Sequence, residues 1–265
     1  MLESLIKFEE INERPYLIFF WAFLLTSVAA IISNHIAFTV TASSVTINMT
    51  GFFTVLFSLI PAVYFVTLLI KKEERLEERM IRKHYRKGFW ERHRKDIVIF
   101  LLFFAGVTLA FAVWTILLPQ DTFQVQDLKI REIRGLTGSA TQMDGFYRIA
   151  VNNMQVLMFS FFFSFVFGAG ALFIIIWNAS VLGVFIGQLS KSLVNIPLVS
   201  LNFLPHGIPE IAAYLFAGLA GGLLSAAILR KNSTSVLKIV AFDSLKLLIV
   251  GIALIFLAAG IEIYV

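Results

Sequence analysis

The stretch "NASVLGVFIGQLSKSLVNIPLVSLNFLP", residues 178–205, decides how many times this chain crosses a membrane. Its first part, 179–189, is apolar but shorter than the roughly 20 residues a spanning helix needs. Lys191, Asn195 and Pro197 then interrupt it. The segment reads either as a broken crossing or as a re-entrant dip. Irregular backbone is tolerated at membrane depth only where protein or a wet cavity satisfies its polar groups, so both readings set it against other helices.

On either side, apolar runs near 16–38, 51–70, 97–118, 149–176, 208–229 and 238–264 predict six further spans. The expected fold class is therefore all-α, a polytopic transmembrane helical bundle of about seven spans with one broken or re-entrant segment near 178–205. Composition agrees: 58% of the 265 residues are hydrophobic and 15% charged, against about 45–50% and about 25% in soluble domains. The mean hydropathy is +0.85. Once the spans are counted, no room remains for a soluble domain of ordinary size. The chain has no cysteine, which excludes disulfides, zinc–thiolate sites and cysteine nucleophiles.

Charge sets the expected orientation. Eleven of the 22 Lys and Arg residues lie in "KKEERLEERMIRKHYRKGFWERHRKD", residues 71–96, between the second and third spans. The positive-inside rule makes this loop cytoplasmic. The N-terminus is then also inside, and residues 119–148 form an external loop with a small helical or extended piece. Arg230 and Lys231 occupy the turn before the last span. If that turn is cytoplasmic, 178–205 must cross and the C-terminus is external. The expected localisation is the cell membrane, multi-pass. The start of the chain reads as a retained first span, preceded by a short interfacial helix bearing Leu2, Leu5 and Ile6, rather than as a cleaved signal. In the basic loop, Leu76, Met80, Ile81, Tyr85 and Phe89 recur at helical spacing. Such a helix lies on an anionic leaflet or docks a partner. Nucleic acid is not an expected partner, because topology and lipid account for the charge.

The polar residues within apolar sequence carry the functional question. "LPHGIPE", residues 204–210, places His206 and Glu210 four residues apart. One reading is punctuation: Pro205 or Pro209 starts a helix and Glu210 sits in its first turn, where a carboxylate is favoured. The other is a polar site, because positions i and i+4 share a helix face. The last two spans form a hairpin, and equal rise per residue puts Glu262 near the depth of His206. Ionisable groups buried in a membrane are costly and mark function by default. The three could form a hydrogen-bonded clasp, a proton or metal site, or, as the remotest option, a catalytic one. The H-E-x-x-H and G-x-S-x-G patterns are absent. Asn152, Asn153, Asn178 and Asn202 can hydrogen-bond across helices or mend broken backbone. Gly183 with Gly187, and Gly218 with Gly222, permit close helix approach, within one subunit or between two. Asp243, Lys246 and Lys238 read as a face near the inner surface, the lysines reaching the headgroups.

Three stretches in this order, "NNMQVLMFSFFFSFVFGAGALFIIIWNASVLGVFIG", "PHGIPEIAAYLFAGLAGG" and "LAAGIEIYV", resemble the stage II sporulation protein M family of integral membrane proteins. The resemblance covers residues 97–265 and divides the chain into a family-like core and an N-terminal helical hairpin with basic cytoplasmic loop, 1–96. It implies that Asn153, His206, Gly207, Glu210 and Glu262 are signature positions and that the C-terminus is external. It also implies a scaffold: the family's name-giving member organises the engulfment step of bacterial sporulation alongside peptidoglycan-degrading enzymes. The expectation is a non-enzymatic organiser of an envelope complex, embedded in the lipid bilayer, homo-oligomeric and with envelope protein partners. No cofactor is expected, and metal binding at the cluster stays open. The rival is a permease-like transport component that uses the His/Glu site for protons or cations.

Overall fold

A computed structural model of the protein describes residues 14–42, 45–64, 89–137, 142–168, 170–229 and 234–264. The interfacial helix expected around Leu2 and the amphipathic stretch from Leu76 to Tyr85 lie outside the described residues. The described chain is helical apart from one small hairpin. Helix α1 spans Leu17–Ile36 and buries Ile18, Ala22, Leu25, Ala29 and Ser33, a stripe at helical spacing. Strands β1 (Thr39–Ala42) and β2 (Val45–Asn48) pair antiparallel, Thr39 facing Asn48 and Ala42 facing Val45. The linker between the first two spans is thus a β-hairpin, as its Thr- and Val-rich alternation favours. Asn48 Oδ1 accepts from both the backbone N–H (2.9 Å) and the hydroxyl (2.7 Å) of Thr50, capping α2, Thr50–Tyr64.

Helix α3 runs Phe89–Leu117, α4 Gln124–Thr137, α5 Gln142–Phe167 and α6 Ala171–Ser190. A 3₁₀ turn at Leu193–Asn195 and the short α7, Ile196–Leu201, lead to α8, Leu204–Leu229, and α9, Thr234–Tyr264. Six of these helices carry segments long and apolar enough to cross a bilayer, and α2 is a shorter apolar helix. The protein is an all-α polytopic bundle.

The largest departure from the expected span boundaries lies between α5 and α6. The run 149–176 is not one span: α5 ends at Phe167, and α6 begins at Ala171. The turn between them depends on Gly168, whose φ of +70° lies in the left-handed region open to glycine. Ser164 donates its hydroxyl to the Gly168 carbonyl at 2.7 Å, satisfying a group the helix end leaves free. Because the turn reads Gly-Ala-Gly, hydropathy passes over it without a dip. The pass expected from 178–205 is therefore made by 171–190. Lys191, at φ 55°, ends that helix. Residues 191–203 form a connection on which Val194, Leu198 and Leu201 are exposed.

The main helix interfaces are α8 with α9, α8 with α5, α6 with α3 and α3 with α1. Helix α8 is the central element, with 78% of its most apolar segment buried, against 28% for both α5 and α9. Glycines set the close approaches. A Cβ on Gly183 would lie 2.5 Å from the Thr108 carbonyl oxygen and one on Gly187 2.7 Å from that of Ala112, so α6 sits with its backbone on α3. A Cβ on Gly218 would meet that of Ala171 at 2.7 Å. Gly222 is buried in α8. The faces of Gly183, Gly187 and Gly218 are thus occupied by helices of the same chain. Gly106 against Phe19 and Gly221 against Phe161 do the same for α3–α1 and α8–α5. One continuous apolar cluster joins Ile18 and Trp21 of α1 to Phe103 of α3, Ile176 of α6 and Leu215 of α8.

Candidate functional site

Helix α8 begins at Leu204, beside Pro205, and not at Pro209. Pro209 therefore lies inside the helix, and the first turn holds no acidic residue. Glu210 is not a first-turn carboxylate as the punctuation reading required. His206, Glu210 and Tyr214 instead follow one another at i, i+4 and i+8 along one face. Pro209 has no N–H for the carbonyl four residues back, which frees a backbone acceptor at the same end of the helix.

That face looks into a cavity of about 220 Å³. Its polar lining comes from four helices: Arg148, Asn152 and Asn153 on α5, Asn178 on α6, His206, Glu210 and Tyr214 on α8, and Glu262 on α9. Apolar walls come from Phe104, Phe185, Phe203 and Ile211, and from Ile130 and Ile133 of α4. The cluster of His206, Glu210 and Glu262 thus shares one space with Asn153, Asn178 and Gly207. Asn202 does not join it, being exposed on the connection after α7.

The bonding within this space differs from a three-way clasp. Tyr214, buried, donates its hydroxyl to Glu210 Oε1 at 2.5 Å. The His206 ring stands edge-on to Phe203, with centroids 5.9 Å apart, and its buried Nδ1 has no hydrogen-bond partner among the described residues. The Asn152 amide donates to Asn153 Oδ1 at 3.1 Å, and the Asn178 amide to the Ile174 carbonyl at 2.7 Å. Among the described residues, no group of three His, Asp or Glu side chains could hold a metal ion. The histidine and the two carboxylates border a common volume without converging on a point.

Helix α4 was expected only as an unassigned external piece, yet it is built into the wall. Gln126 is fully buried and donates to Ser180 Oγ of α6 at 3.3 Å. Gln124 Oε1 accepts from the Asn48 N–H at 2.7 Å, and Gln188 donates to Asp127 at 3.1 Å. Asp127 also pairs with Arg131 at 2.8 Å. Tyr214 and Gln126 are the residues that sequence reasoning passed over. The spacing 206, 210, 214 was a usable signal for the first. The polar character of α4 concealed the second.

Away from the cavity, buried Asp243 pairs with Lys246 at 3.3 Å, and the Lys246 ammonium lies 5.2 Å from the Phe242 ring centre. Lys238 is exposed. This agrees with a polar face near the other end of α9.

A family model described as stage II sporulation protein M matches residues 98–265. Every residue lining the cavity falls inside that match. An uncharacterized protein of Methanocaldococcus jannaschii is 33% identical over 124 residues, covering 45% of this chain and 70% of the relative. No solved structure matches the chain. On the extent of the family match, the chain belongs to the stage II sporulation protein M family of membrane proteins.

Proposed function

We propose that this protein is a non-enzymatic membrane scaffold that organises an envelope complex, and that its cavity is a blind receptor pocket rather than a conduit. The observation behind this reading is what lies beneath the cavity. Leu157, Ala213, Ala217 and Ile255 are completely buried around Tyr214 and form an apolar floor. Beyond Tyr214, α8 carries no ionisable side chain, and neither does α9 between Lys246 and Glu262. A transport route would have to cross that dry layer, where an unpaired charge costs about 2.5–3.5 kcal/mol or more. The permease-like reading draws on the polar lining alone. The exposed aromatic faces of α5 and α9, with Phe159, Phe162 and Phe256, suit lipid or a second copy of the chain and support a homo-oligomer. On the charge argument, the cavity end of the bundle is external.

Two measurements test this. In cysteine-free protein expressed in intact cells, Asn195→Cys is expected to react with an impermeant thiol reagent and Lys238→Cys to be protected. The reverse pattern would invert the orientation. In proteoliposomes, proton and potassium leak is expected to equal that of protein-free vesicles. A leak several-fold above that level, abolished by Glu210→Gln, would replace the scaffold with a transporter.

A further inference from the structure

Helix α4 touches both the cavity and a part of the chain that the family match leaves out. The match begins at residue 98, so strand β2 and the start of α2 precede it. Phe123 stands just ahead of α4, and Gln126, Ile130 and Ile133 follow at three- and four-residue steps, so the three helical residues share one face. Phe123 packs on Phe111 of α3, with ring centroids 5.3 Å apart, and Ile130 and Ile133 wall the cavity. Gln126 lies between them, fully buried, without lining the cavity itself.

The seat of Gln126 is built from two sides. Its amide donates to Ser180 Oγ of α6 at 3.3 Å. Its far end also lies against Gly51, the second residue of α2: a Cβ there would overlap Gln126 Oε1 and stand 2.8 Å from its Cδ. Any side chain at position 51 would claim the space that the amide fills. A second tie sits beside the first, where the Asn48 N–H of β2 donates to Gln124 Oε1 at 2.7 Å. Both ties hold the first half of α4, and both cavity residues are on its second half. At 1.5 Å per residue, Ile130 is about 6 Å and Ile133 about 10 Å along the axis from Gln126. A continuous hydrogen-bonded helix carries a displacement over that distance as one body.

We propose that α4 is a lever: the β-hairpin and the start of α2 set the position of the cavity wall through Gln126, so a shift of the hairpin reshapes the cavity. Gln126 is a positioning residue in this arrangement, acting on the cavity through Ile130 and Ile133. As regulation of a receptor pocket the lever rests on the reading given above; as packing it does not.

The test uses two reporters in the otherwise cysteine-free chain, each in its own protein. Ile211→Cys stands on the α8 wall of the cavity, and Ile255→Cys lies completely buried in the apolar floor. Each is combined with Gln126→Ala or Gly51→Leu in phosphatidylcholine nanodiscs, and the rate of modification by methyl methanethiosulfonate is measured. Gln126→Ala removes the pivot, and Gly51→Leu drives the amide from its seat and lifts α4 off the bundle. Either is expected to raise the rate at position 211 by about threefold or more and to leave position 255 unchanged. If Gly51→Leu does not fold, Gln124→Ala, which removes the acceptor for β2, takes its place. Equal rises at both positions would reduce Gln126 to general support of the fold and overturn the proposal. An unchanged rate at 211 in the folded variants would overturn it too. The leak measurement decides the receptor reading separately, since a leaking protein with a wall-specific rise would keep the lever and lose the receptor.

Discussion

Leucine in place of Gly221 is expected to abolish the folded protein. Gly221 lies in the middle of α8, the most enclosed helix. A Cβ there would stand 2.2 Å from the Phe161 carbonyl oxygen, 2.9 Å from the Phe165 nitrogen and 3.0 Å from Ser164 Cβ. Two of these are backbone atoms of α5, so no rotamer change makes room and the two helices must separate. Overpacking a tight core costs about 1–3 kcal/mol, occasionally more. Parting a main helix interface belongs at or beyond the top of that range. Size-exclusion profiles and thermal unfolding of Gly221→Leu should show mostly misfolded material. Gly260→Leu is the control, since a Cβ at Gly260 meets nothing within 4 Å. It should unfold at or above the parent temperature, because glycine costs a helix about 1 kcal/mol relative to good formers. Equal behaviour of the two variants would contradict the α5–α8 packing.

Removing the Tyr214 hydroxyl should cost nearly as much per atom as any change in the protein. Tyr214→Phe deletes the 2.5 Å bond to Glu210 while leaving the ring's packing in place. A polar group left without its partner in a buried site costs about 1–3 kcal/mol, whereas removing both partners is close to neutral. Tyr214→Phe is therefore expected to lower the melting temperature, and Tyr214→Phe with Glu210→Leu to recover most of the loss. The non-additivity of this pair is the diagnostic quantity. An unchanged melting temperature for Tyr214→Phe would mean that cavity water replaces the hydroxyl.

Much of this architecture was legible in the sequence because lipid leaves so few ways to satisfy a backbone. Apolar runs announced helices: six carry segments long and apolar enough to cross, and the expected second span is described as the shorter α2. The partition of the run 149–176 was not legible. Gly168, Ala169 and Gly170 are as compatible with a helix interior as with a turn on any hydropathy measure, and only the positive φ at Gly168 separates the two. For the cavity, the depth argument linked His206 to Glu262, and both line it, because consecutive helices packed along their length keep a common register. It could not say which atoms bond, since that depends on rotamers and on where α8 begins. Asn202 looked equivalent to Asn178 in sequence, yet one falls on a surface connection and the other on a helix wall. Helix α4 was invisible as part of the bundle because glutamine is scored as a solvent-facing residue, and buried Gln126 donates its amide to a serine 54 positions away.

That separation has a consequence for how the protein is made. Gln126 leaves the ribosome well before Ser180, and at about 5–20 residues per second the delay lasts roughly 3–11 s. Throughout that interval α4 can rest on the earlier-made β2, through the Asn48–Gln124 bond, but not on α6. The α4–α6 contact is therefore completed only once α6 has been made, so the wall of the cavity closes late in translation.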